Sequence, residues 1–135
     1  AAVGLAQLEK IKYFLNKKKN IDKIYSAKLN KFKDFYYDKK PKYASNNCWM
    51  LSISLNKKNI AYKNKILKKL IKSGVETRSI WKPLHLQKPY KIYQNYMVSN
   101  SEKVFSCTLN IPSSTNLTNS DVLNILFILK KIFKN

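Results

Sequence analysis

The chain reads as an α/β layer sandwich, with a long amino-terminal helix followed by short strands flanked by helices. Three observations predict it. Apolar residues recur at three- and four-residue spacing at the start of the chain and again in two later stretches. An alternating run lies at 49–55. Pro41, Gly74, Pro83 and Pro112 punctuate the joins between such stretches.

The first element rests on Leu5, Leu8, Ile11, Leu15, Ile21, Ile24, Leu29 and Phe32, which stand mostly at helical spacing and predict one helix over 1–33. At about 1.5 Å per residue it would reach roughly 45 Å, more than a small domain needs for itself. Its opening, Ala1-Ala2-Val3-Gly4-Leu5-Ala6-Gln7-Leu8-Glu9, has no initiator methionine and no capping residue, as expected of a chain cut inside a helix. The alternative is a helix that frays or kinks near Asn16 to Asn20.

The rest, 34–135, reads as one small α/β domain. Asp34 to Asn47 is expected to be a loop, punctuated by Pro41 and two adjacent asparagines. Trp49, Leu51, Ile53 and Leu55 alternate with Met50, Ser52 and Ser54 as a half-buried strand. Helical spacing returns over Asn59 to Lys72, with Gly74 where a left-handed stop is favoured. Val75 to Ile80 predicts a second strand running into Pro83. Ser99-x-x-Glu102 and Thr118-x-x-Asp121 are capping-box signatures. The first should open a short helix through Phe105. The second should open an apolar helix carrying Val122, Ile125, Leu126, Leu129, Ile132 and Phe133, with Lys130, Lys131 and Lys134 near its carboxyl end. Between them, Thr108 to Ile111 predicts a third strand.

Composition narrows the function. With 135 residues, 44% apolar and 13% aromatic, the chain can bury one core. Two cysteines and a lone His85 exclude a disulfide scaffold and the usual zinc sites. No apolar run approaches the roughly 18 residues of a membrane span, and no signal-peptide pattern opens the chain, so a soluble, cytoplasmic protein is expected. The net charge of +20 invites a nucleic-acid reading. All but one of the 27 basic residues are lysine, however, spread along the chain among abundant asparagine and isoleucine, as AT-rich codon usage would produce. Arginine, the residue that grips phosphates and guanine edges bidentately, occurs once. Weak, salt-sensitive attraction to polyanions is expected rather than a specific nucleic-acid site.

With only Gly4 and Gly74, phosphate-binding loops, dinucleotide fingerprints and nucleophile elbows are excluded. What stands out is Thr77-Arg78-Ser79-Ile80-Trp81-Lys82-Pro83-Leu84-His85, which gathers the sole arginine, the sole histidine and one of two tryptophans at a strand end. A guanidinium holds phosphate or carboxylate in two parallel bonds, an imidazole can donate to a sugar or phosphoryl oxygen, and an indole can stack on a ring. Arg78, Trp81 and His85 are the candidate site residues. Taken singly, each has an ordinary structural reading: surface arginine, core tryptophan, satisfied histidine.

Three strings in register, at 1–9, Gly-Val-Glu-Thr-Arg-Ser-Ile-Trp-Lys-Pro-Leu-His at 74–85 and Asn-Ile-Pro-Ser-Ser at 110–114, resemble the carboxyl-terminal part of the DegT/DnrJ/StrS family of pyridoxal-phosphate-dependent sugar aminotransferases. The branch that aminates nucleotide-linked keto-sugars of the legionaminic type is most similar. The resemblance implies the small carboxyl-terminal domain of the aspartate-aminotransferase-like fold (type I pyridoxal-phosphate transferases), introduced by an interdomain helix at 1–33, with the large cofactor-binding domain absent. It implies pyridoxal 5'-phosphate in the full-length enzyme, anchored by a lysine outside this chain, so that no residue here is catalytic or cofactor-binding. It also implies a nucleotide-sugar substrate, glutamate as amino donor, a role in cell-surface polysaccharide biosynthesis, and a homodimer whose interface places Arg78, Trp81 and His85 on the sugar-nucleotide side of the pocket. Ser79 departs from the family's frequent proline after the arginine. Two other readings stand beside this one: a small basic nucleic-acid-binding protein, and a truncated, inactive relative.

Overall fold

Residues 51–55 of the alternating run at 49–55 become a central strand of an antiparallel sheet, with Trp49 and Met50 in the bend before it, in the computed structural model, which describes residues 1–37, 40–41 and 43–134. Residues 38–39 and 42 of the expected loop, Lys39 of the lysine pair at 39–40, and the Lys134 side chain lie outside the described residues. The strands are β1 (Phe35–Tyr37), β2 (Leu51–Leu55), β3 (Arg78–Ser79) and β4 (Thr108–Ile111), in the order β1-β2-β4-β3. Register pairs Ile53 with Leu109 and Leu51 with Ile111, so these side chains share one face. That face meets Ile21, Tyr25 and Leu29 of α2 (Ile11–Leu29), Ile66 and Leu70 of α3 (Ile60–Lys72), and Val122, Ile125, Leu126 and Leu129 of α5 (Asn119–Lys134) in one core. On the opposite face Ser52 bonds Asn110 at 2.8 Å and Ser54 bonds Thr108 at 2.9 Å across the strands.

The α/β architecture matches the expectation, and several elements differ in detail. The long helix is two, α1 (Ala2–Glu9) and α2, broken at Lys10, whose ψ of 6° leaves the helical region. The chain stays helical through Asn16 to Asn20, and α2 ends at Leu29 rather than residue 33. Phe32 then folds back to stack on Phe35, 4.9 Å between ring centroids. The expected loop contains β1, a strand of three residues paired with the carboxyl half of β2. The strand expected over Val75 to Ile80 shortens to β3, because only Arg78 and Ser79 reach register with Asn110 and Leu109.

Helix ends sort the capping signatures. Asn59 caps α3, its side chain accepting from the Tyr62 N–H at 3.0 Å, and Gly74 follows at φ +79° as expected. At Thr118 the capping box forms: the Asp121 carboxylate accepts from the Thr118 N–H at 2.8 Å, and the Thr118 hydroxyl accepts from the Asp121 N–H at 3.1 Å. At Ser99 it does not. The helix α4 (Ser99–Cys107) begins after Val98 without a side-chain cap, and Glu102 turns elsewhere.

Candidate functional site

The edge strand β3 and the turn after β4 form one cleft of about 340 Å³, lined by Trp49, Met50, Glu76, Arg78 and Asn110 to Ser114. Two segments far apart in sequence therefore meet, because Arg78 pairs with Asn110 across the ladder. The Arg78 guanidinium is exposed and donates to the Glu76 carboxylate at 2.6 Å. Both partners are more than three-quarters exposed, so the ion pair is worth at most about 1 kcal/mol and yields readily to another anion.

The floor of the cleft is held from beneath. The Ser113 hydroxyl donates to the Trp49 carbonyl at 2.8 Å, joining the turn after β4 to the approach to β2. From α2, Lys18 Nζ donates to the Ser113 carbonyl at 2.8 Å and the Tyr25 hydroxyl to the Pro112 carbonyl at 3.0 Å. Burial pushes the Lys18 ammonium below the ordinary lysine value and the Tyr25 phenol above its own. These bonds fix the Pro112–Ser113 backbone, so the cleft wall is set by α2 rather than by loop chemistry alone.

Trp81 lies beside this cleft, not in it. The residue is 73% exposed, and its ring meets that of Trp49 edge to face, with centroids 5.9 Å apart and planes at 65°. His85 sits in a 3₁₀ turn, Leu84–Leu86, with Nε2 3.0 Å from Glu102 Oε1 of α4. The structure thus brings Arg78 and Trp81 together through Trp49 and holds His85 on a separate carboxylate. Sequence reasoning did not single out Trp49, Asn110, Ser113 or Ser114 as site residues. The string at 110–114 carries a signal in the sequence but no role of its own, and alternation makes Trp49 look like part of a strand.

Ser79 accepts a 2.8 Å bond from Lys63 Nζ, which also donates to the Phe105 carbonyl at 2.6 Å and lies 4.0 Å over the Phe105 ring. The position that departs from the family's frequent proline is therefore occupied by a hydrogen-bond acceptor.

Among the described residues lining the cleft there is no lysine to anchor pyridoxal phosphate, the cofactor implied by the resemblance. Its anchoring lysine must open into a cavity wide enough for the ring. Lys63 is 1% exposed and closed in by Ser79 and Phe105, and Lys18 is held on a backbone carbonyl. Among the described residues no group of three His, Cys, Asp or Glu side chains could hold a metal ion. No described helix is long and apolar enough to cross a membrane.

Comparison with known proteins agrees with the resemblance. The chain is 26% identical to GDP-perosamine synthase of Caulobacter vibrioides over 98% of its own length and 36% of that protein. It is 30% identical to GDP-perosamine synthase of Escherichia coli O157:H7 over 93% of its length and 33% of that protein. It spans about a third of the length of the curated relatives it matches. Among solved structures, Helicobacter pylori PseC, an aminotransferase involved in the biosynthesis of pseudoaminic acid, superposes with a TM-score of 0.89 at 22% identity, over 98% of this chain and 36% of that one. The PLP form of the putative sugar aminotransferase Spr1654 from Streptococcus pneumoniae gives 0.87 at 21% identity, over 97% of this chain and 34% of that one. These likenesses establish the small α/β domain of such enzymes as the fold. Residues 1–130 match the DegT/DnrJ/EryC1/StrS aminotransferase family, and the chain belongs to that family.

Proposed function

We propose that these residues are the carboxyl-terminal third of a pyridoxal-phosphate-dependent aminotransferase that moves an amino group from glutamate to a nucleotide-linked keto-sugar for polysaccharide biosynthesis. Residues 1–33 serve as the interdomain segment and 34–135 as the small domain. A large domain outside the 135 residues holds the cofactor and its lysine. With those substrates the enzyme works in the cytoplasm as a homodimer, and the exposed Trp81, Ile92, Tyr96 and Met97 support a partner surface on the 81–97 arm.

The observation that carries the reading is the meeting of Arg78 with the 110–114 turn in one cleft. Arg78 exchanges its exposed Glu76 partner for a substrate phosphate, gaining a bidentate, charge-assisted pair. Trp81, propped by Trp49, offers an exposed ring face to a sugar or base. His85 has Nε2 engaged by Glu102, which leaves Nδ1 to orient a sugar or phosphoryl oxygen.

The test is transamination by the full-length protein, supplied with pyridoxal phosphate, glutamate and a panel of nucleotide-linked keto-sugars, read as 2-oxoglutarate release. Arg78→Ala should raise KM for the nucleotide sugar about tenfold or more while sparing the glutamate half-reaction. Absence of 2-oxoglutarate with every keto-sugar, or a single borohydride-stable pyridoxyl adduct on a lysine of the 135 residues, would overturn the reading.

A further inference from the structure

Lys63 is the only buried lysine among the described residues, and it ends on two elements other than its own helix. A buried ammonium is kept only where its hydrogens find partners, and an apolar side chain of similar length would fill this space without the cost of removing a charge from water. Each partner leads to the candidate site. The Ser79 hydroxyl, 2.8 Å away, follows Arg78 in a two-residue edge strand paired only with β4. The Phe105 carbonyl, 2.6 Å away, lies in the last turn of α4, whose carbonyl end favours a cation. One turn earlier on α4, Glu102 holds His85.

We propose that Lys63 is a positioning residue, a buried cation that ties β3 to α4 and so sets Arg78 and His85 relative to each other for one substrate. This assignment rests on the proposed function for the substrate and on geometry alone for the clamp. The ring of Phe105, its centroid 4.0 Å from Nζ, adds a cation–π contact to the same ammonium. Lys63 touches neither substrate nor cofactor in this scheme. It acts through Ser79 and Phe105, which explains why a two-residue strand at the sheet's edge keeps a defined register.

Lys63→Met in the full-length protein keeps the stem and removes the donors. Hydrogen exchange read by mass spectrometry should then speed roughly tenfold in peptides covering 77–85 and 99–107 and stay unchanged over 51–55 and 119–134. Ser79→Ala should reproduce the change at 77–85 only, and it decides the matter if the lysine variant does not fold. Equal acceleration everywhere, or no change at 77–85 in Ser79→Ala, would overturn the clamp. In kinetics, both variants should raise KM for the nucleotide sugar with kcat for the glutamate half-reaction intact, whereas a fall in that kcat alone would overturn the positioning role. If the unmodified protein transfers no amino group, the functional reading fails by itself, and the exchange pattern still decides the clamp.

Discussion

Gly74 sits at φ +79° just past the last turn of α3, and a Cβ built there meets nothing within 4 Å. Any penalty for a side chain is therefore backbone alone. Gly74→Ala should cost about 1 kcal/mol in urea unfolding, and Gly74→Asn less, because asparagine tolerates the left-handed region. A loss of several kcal/mol in the alanine variant would mean that open space is not what surrounds this turn. Gly74 was legible in the sequence because a glycine after the last periodic apolar residue has one common use. Arg78, Trp81 and His85 were legible by rarity. Trp49 was not, since nothing local relates residues 49 and 81, and alternation made it look like a strand residue. Glu102 misled for a chemical reason: a carboxylate three residues after a serine can accept from the backbone or from an imidazole, and here His85 is the partner.

Two capping signatures of the same form had different outcomes, and the element scale shows why. Thr118 and Asp121 bond each other's backbone N–H, whereas Glu102 is drawn to His85. Thr118→Ala should cost about 1 kcal/mol, and the loss should appear first as fraying of the α5 amino terminus in hydrogen exchange. The Thr118 hydroxyl and N–H hold the Asp121 carboxyl below its usual value of 3.8. A folded-state pKa below the unfolded one contributes stability above the unfolded value that is lost as pH falls through the folded value. Asp121→Asn should therefore flatten the acid limb of stability below about pH 4 and leave the neutral region little changed. An acid limb identical to that of the parent would show that the carboxylate is not what holds this cap. Other elements escaped the sequence because they carry no periodic signal. Three residues are too few for alternation to mark β1 within an expected loop, and Lys10, a good helix former, gives no hint of the break between α1 and α2.

The whole molecule was legible as alternating helices and strands, but the strand order β1-β2-β4-β3 was not, because it depends on pairings between residues far apart in sequence. The same scale decides how the net charge and α1 act together. No residue of α1 is buried, and Val3, Leu5 and Leu8 are each more than 60% exposed. Apolar area of this kind favours association, while a net charge of +20 opposes it at long range. Raising salt shortens the screening length from about 10 Å at 0.1 M to about 3 Å at 1 M, removing the repulsion while leaving the apolar attraction. The 135-residue chain by itself should therefore sediment as larger species as sodium chloride increases, and Leu5→Glu with Leu8→Glu should hold it at its low-salt mass. Binding of the same chain to duplex DNA should fall over the same range, because lysine–phosphate attraction depends on released counterions. Association that weakens with salt would instead assign the contact to charged groups, giving the lysines a role in assembly beyond solubility, whereas salt-promoted association that survives both substitutions would assign it to exposed apolar residues outside α1, such as those of the 81–97 arm.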